Sequence, residues 1–178
     1  GGGAGGATGV SPGVARTRAG RAAGGPGGSG KVWWREIPDL WQLQDPKGWC
    51  TDDVKKSLHH GFGVRVGFLG HDMHGLKMGP DGKLYFSIGD RGANVKTFDG
   101  RKIYNPESGA GFRCNPDGSE LEIFAPGLRN PPGLTFDQYG NLWTCDTNSD
   151  AGAPPRRVSV GRGGHRGAGG GGRVYHRP

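Results

Sequence analysis

One short run recurs three times in this chain: "GKVWW" (30–34), "GKLYF" (82–86) and "GNLWT" (140–144). The starts, Gly30, Gly82 and Gly140, lie 52 and 58 residues apart. Each run opens with a glycine suited to a turn and continues polar, aliphatic, aromatic, as a strand leaving a tight turn does. "MGPDGKLYFSIGD" and "TFDQYGNLWTCDT" extend the match through turn, strand and a following Asp, and Pro-Asp-Gly returns in "CNPDGSELEIFA" (114–125). A four-stranded antiparallel unit at this spacing is a β-propeller blade. A generic antiparallel sandwich explains the hairpins but not the regular offset. The fold expected is therefore all-β, a partial β-propeller of two to three blades. A closed ring typically needs 4–8 blades, so the chain is a fragment or part of an assembly, with open sheet edges prone to aggregate.

The repeat lies where the acids lie. All 16 Asp and Glu fall between Glu36 and Asp150, and residues 31–150 carry 14 Lys and Arg, so this middle is close to neutral. Outside it stand nine Arg, no Lys, no acid and 22 of the 39 glycines. The pI of about 9.6 thus belongs to the ends and is no argument for a nucleic-acid partner of the folded part. Three domains follow: a low-complexity flank (1–29), the partial propeller (30–150) and a second Gly/Arg-rich flank (151–178). The flanks hold too few large apolar residues to offset the entropy of ordering glycine, and are expected to be disordered. They read as linkers, as an RNA-binding Gly-Arg tail, or as GC-rich sequence translated out of frame. No apolar h-region of a signal peptide and no membrane-spanning run is present. Cys50, Cys114 and Cys145 form no C-x-x-C, which gives no support to zinc or c-type haem.

Polar residues of chemical interest cluster in "GHDMHGLKMGPDGKLYFSIGDRG" (70–92) and "GLRNPPGLTFDQYGNLWTCDTNSD" (127–150). In this order the histidine segment, G-P-D-G strand, R-N-P and N-S-D resemble the soluble quinoprotein glucose/sorbosone dehydrogenases. They resemble more closely the bacterial relatives grouped as membrane-bound dehydrogenases in planctomycetes and verrucomicrobia. The resemblance spans about 31–150. It implies a six-bladed propeller of the NHL/TolB-like kind, with pyrroloquinoline quinone (PQQ) and calcium over the central channel, oxidising an aldose or similar alcohol in the periplasm. Counting back eight residues from Gly79 selects His71 as the family's proton acceptor, with His74 the alternative; both also read as strand-end loop histidines. Arg129 and Asn130 fall on the segment that contacts the quinone, which otherwise reads as a tight inter-blade turn. Main-chain carbonyls of Asp146 and Thr147 fall where the family holds calcium.

Other features read as structure. His59 and His60 are adjacent on a strand and point to opposite faces, so they do not clamp one ion. Trp33, Trp34, Trp41 and Trp143 read as blade packing, "GDRG" (89–92) lacks a dinucleotide-binding context, and "DPKGWCTDD" (45–53) is too interrupted to be a metal loop. The leading function is thus a fragment of a PQQ-dependent sugar or alcohol dehydrogenase-like protein. The alternatives are a non-catalytic binding propeller and a Gly/Arg-tail RNA-binding protein. An incomplete ring does not enclose a cofactor or position substrate against it. The 178-residue chain supplied with PQQ and calcium is therefore expected to give no dye-linked glucose oxidation above background.

Overall fold

The computed structural model describes residues 17–18, 30–45, 54–64, 70–147 and 155–161, and among these there is no helix. The first sheet is a meander of β1 (Thr17–Arg18), β2 (Gly30–Glu36), β3 (Asp39–Asp45) and β4 (Val54–His60). The second begins with β5 (Met73–Met78) and β6 (Leu84–Ile88). It then detours through a separate hairpin, β7 (Ala93–Lys96) and β8 (Lys102–Asn105). It resumes with β9 (Gly109–Cys114) and β10 (Glu122–Leu128), in spatial order β10-β9-β6-β5. The third comprises β11 (Leu134–Phe136), β12 (Leu142–Asp146) and β13 (Arg156–Val160). Every pairing is antiparallel between neighbours in the meander. These are three consecutive blades of a partial β-propeller.

The three repeated runs are the second strands of the three blades, β2, β6 and β12. Their side chains alternate with the pleat. Leu84, Phe86 and Ile88 join Trp33, Leu40 and Leu58 of the first blade in one apolar cluster. Tyr85, on the other face of β6, joins Phe124 and Ala125 with Leu134, Leu142 and Val160 of the third blade. All five residues of β6 are consequently buried. Phe62, in the connection after β4, meets Phe86 and Phe112 edge-on at 5.4 and 5.5 Å, while those two rings stack at 5.4 Å. The second junction has Tyr85 edge-on to Phe124 and Phe136, at 5.4 and 5.1 Å.

Four hairpins close with one turn. In Gly79–Gly82, Thr97–Gly100, Asn115–Gly118 and Asp137–Gly140 the final glycine N–H donates to the first residue's carbonyl. The first N–H in turn donates to the carbonyl just past the glycine. This is a type I turn followed by a left-handed bulge residue, and the four glycines have φ between +74° and +90°. Side chains brace it: the Asp137 carboxylate accepts from the N–H groups of Tyr139 and Asn141 and from Trp143 Nε1.

The expected domain boundary at 150 falls short of the packed region. β13, at 156–160, pairs along the whole of β12, and Val160 is buried in the second junction. The strand Arg-Arg-Val-Ser-Val alternates, and Val160 reaches the apolar cluster whatever the glycine content beyond it. At the other end Thr17–Arg18 pairs with Trp33 and Val32 of β2, inside the stretch expected to be unpacked.

Phe86→Ala removes a ring held on every side and should cost about 3–5 kcal/mol in urea unfolding. Tyr139→Ala, at an exposed turn tip, should stay within about 0.5 kcal/mol. The Trp143 and Asn141 hydrogen bonds hold the Asp137 carboxyl down at about 2 against an ordinary 3.8. Its stabilising effect is complete above about pH 4 and disappears as pH falls towards 2. Melting temperature should therefore fall less steeply across that window in Asp137→Asn than in the parent chain.

Candidate functional site

β5 starts at Met73, so His71 lies in the bend that enters the strand rather than in the strand itself. Across the hairpin, Met73 pairs with Ile88 and His74 with Ser87. Extending that register outward by two residues sets His71 opposite Asp90, and His71 Nδ1 stands 2.6 Å from Asp90 Oδ1. The imidazole is buried and the carboxylate partly exposed. A carboxylate accepts, so Nδ1 carries the proton and the lone pair of the neutral ring is on Nε2. Neighbouring contacts fix the bend. Gly89 N–H donates to Asp72 O at 3.3 Å, the Asp72 carboxylate pairs with Arg91, and Arg35 of β2 donates to Met73 O.

His74 is used differently. Its Nε2–H donates to Gly70 O at 2.6 Å, closing the bend on itself, and burial pushes its pKa down. The structure therefore separates the two histidines: one ring is oriented by a carboxylate, the other serves a backbone carbonyl.

The segment Arg129–Gly133 connects β10 to β11 and is held at four points. The Asp146 carboxylate accepts from Arg129 N–H at 3.1 Å and from Asn130 N–H at 2.9 Å. Thr147 donates its N–H and hydroxyl to Asn130 O, at 3.4 and 3.3 Å. Ser87 Oγ donates to Pro131 O and Thr144 Oγ1 to Gly133 O, at 2.8 and 2.6 Å. The result is both an inter-blade turn and a fixed platform. Asn130 is buried on it, and its Oδ1 has no hydrogen-bond partner.

Gly89 joins the two halves. A Cβ at this position would stand 2.7 Å from His71 O and 2.8 Å from Asn130 Oδ1. Only a glycine lets the histidine bend and the asparagine platform close over the end of β6. Of the residues expected from sequence, His71 and Asn130 meet here. Asp146 and Thr147 act from behind as supports, Arg129 begins the platform, and His74 stands aside on β5.

Asp90 and Gly89 were not expected as site residues, although "GDRG" was in view. The bulge at Gly82 shifts the pairing by one residue and a second irregularity between His74 and Lys77 restores it, so that His71 comes opposite Asp90; counting along the sequence does not show this. Among the described residues no group of three His, Cys, Asp or Glu could hold a metal ion. Asn148, Ser149 and Asp150 lie outside the described residues, as do residues 46–53 of the interrupted Asp/Gly loop. His59 is buried, with Nε2 2.6 Å from Gly118 O, whereas His60 is exposed beside Asp39.

Residues 29–160 match a family model described as "Domain of unknown function (DUF7133)". No curated protein matches the chain. Among solved structures, the PQQ-bound form of aldose sugar dehydrogenase from Streptomyces coelicolor superposes with a TM-score of 0.55 at 19% identity. The match covers 83% of this chain and 47% of that one, so the chain spans about half the length of that enzyme. At this identity the likeness establishes a shared β-propeller fold.

Gly89→Ala should destabilise by about 1–3 kcal/mol through overlap with backbone and Asn130. Gly133→Ala, where a Cβ would meet nothing within 4 Å, should be close to neutral. Urea titration of the two variants checks the contrast.

Proposed function

The chain belongs to the DUF7133 family, and from that premise we propose that it supplies the proton-accepting half of a quinoprotein dehydrogenase-type ring that oxidises an aldose or similar alcohol. The observation that carries this reading is the His71–Asp90 pair beside the buried, unpaired Asn130 Oδ1. An imidazole with its lone pair on Nε2 and its other nitrogen on a carboxylate is arranged to remove a hydroxyl proton. Asp90 then stabilises the imidazolium that forms and keeps the ring from rotating. His71 rather than His74 takes this role, because its N–H is held by a carboxylate that stabilises the imidazolium, whereas the His74 N–H meets a neutral carbonyl and burial disfavours its charged form.

The fit to a quinone rests on Asn130. A buried acceptor without a partner costs about 1–3 kcal/mol, and a polar cofactor with N–H groups would relieve that. Arg129 and Asn130 would hold it, the guanidinium offsetting negative charge on a quinone oxygen. When bound, such a cofactor supplies the hydride acceptor that protein side chains lack. Calcium finds less support: the Asp146 carboxylate is committed to two amides, which leaves main-chain carbonyls of Asp146 and Thr147 as donors. The nearer likeness to the planctomycete and verrucomicrobial membrane-bound dehydrogenases, and a periplasmic location, belong to the same proposal.

The test is made in a protein with the ring complete. His71→Gln should lower kcat by about 10²–10⁴ while PQQ binding, followed by its absorbance change, is retained. Asp90→Asn should also lower kcat. His74→Gln should mainly cost stability, about 1 kcal/mol for one hydrogen bond. Near-normal turnover of His71→Gln would overturn the reading.

A further inference from the structure

Three strands of the first blade grip one turn of the second. Trp33 Nε1 of β2 and Gln42 Nε2 of β3 both donate to Pro116 O, at 2.8 and 3.0 Å. From β4, His59 Nε2 stands 2.6 Å from Gly118 O in the same Asn115–Gly118 turn. The fit there is close: a Cβ on Gly118 would stand 3.1 Å from Leu58 Cβ and 3.4 Å from the Phe98 ring. Phe98, in the turn of the β7–β8 hairpin, stacks on the His59 imidazole at 5.3 Å. One imidazole thus ties its own strand to both a turn and a hairpin of the second blade.

This ring is the member of the clasp that can change charge. A carbonyl only accepts, so Nε2 carries the hydrogen and Nδ1 keeps the lone pair. His59 is only 4% exposed, and its Nδ1 is buried without a hydrogen-bond partner. Protonation there would add a second N–H with no acceptor and a charge withdrawn from water. Burial accordingly pushes the His59 pKa below its ordinary 6.5, against smaller upward pulls from Gly118 O and the Asp99 carboxylate.

The charged groups around the ring do not lift this penalty. On the hairpin turn, Asp99 is engaged by Thr97 and Arg101 and stays ionised down to about 2. On the β9–β10 turn, Asp117 accepts from the Ser119 N–H and hydroxyl at 2.8 and 2.7 Å, which shifts it down as well. From β4, Lys56 lies 5.8 Å from the Phe98 ring and sets a like charge beside any imidazolium. Trp33 and Gln42, from β2 and β3, are uncharged. Phe98 itself is largely exposed at the tip of a two-stranded hairpin, so it can leave the imidazole without a core being opened.

We propose that His59 is a pH-sensitive clasp between the first and second blades, closed while the ring is neutral and opened by its protonation. Opening lifts the Phe98 turn from the ring and frees the Asn115–Gly118 turn from β4, which lets the imidazolium reach water and Asp99. A base whose pKa is depressed in the closed form binds its proton better in the open one. The closed form is therefore fully favoured above pH 6.5 and loses ground as pH falls below it.

The test is hydrogen exchange with peptide mapping of the 178-residue chain, corrected for the intrinsic pH dependence of exchange, from about pH 7.5 to about pH 5. Peptides covering 93–105 and 115–121 should exchange several-fold faster at the acid end. In His59→Gln, whose amide keeps a donor for Gly118 O and does not titrate, they should stay level. His60, His71 and His74 are present in both chains, so the difference isolates His59. Exchange that ignores pH in the unmodified chain, or quickens equally in His59→Gln, would overturn the proposal. Nitrogen NMR shifts of the His59 ring should also report the Nε2–H tautomer and protonation below pH 6.5. A ring that protonates at or above 6.5 would overturn it too, and this titration needs no variant, so it decides the matter should His59→Gln fail to fold.

Discussion

Burial of β6 on both faces is the constraint from which the rest of the structure follows. Leu84, Phe86 and Ile88 pack one way and Tyr85 the other, so the strand is apolar throughout and has no face to give to solvent. Such a strand is stable only between two other layers. The first and third blades are those layers, and the aromatic geometry at each junction fixes how they sit. Every functional element described above is attached to an end of this strand. The histidine bend pairs beside it, Asp90 follows it by two residues, and Ser87 on it anchors the Arg129–Gly133 platform.

How much of this was legible depends on whether the determinant is local. The turns were, because Pro-Asp-Gly fixes a backbone geometry by itself, and Gly82 and Gly118 adopt the positive φ that the motif demands. Thr97–Gly100 makes the same turn without proline or Asx at its first position, and nothing in "TFDG" singled it out beforehand. The strand repeat was legible because parity is written into alternate residues. The extent of the third blade was not: "RRVSV" sits among Gly, Pro and Arg, and only pairing with β12 reveals it as a strand. Composition averages over a window, whereas one valine in register is enough to bury.

The site divides in the same way. His71 and Asn130 were expected by resemblance, and their residue types announce chemistry. Asp90 was hidden because its importance lies in a partner nineteen residues away, and Gly89 because its importance is an absence of side chain. The carboxylate of Asp146 adds a role for a related reason. It accepts from the main-chain N–H groups of Arg129 and Asn130, so it acts on Asn130 through the backbone.

The alternation of faces along β2, β6 and β12 bears on how such chains change over evolutionary time. Each blade presents the aromatic fourth residue of its run forward and the third and fifth backward, so the alternation itself is shared by all three blades. A tandem duplication inserting one blade would produce matching junctions on both sides at once. Ring size is then free to drift by whole blades until angular closure, rather than side-chain complementarity, sets the limit. Residues such as Gly89 and Asp90, tied to one particular junction, are what would tell an ancestral blade from its copies.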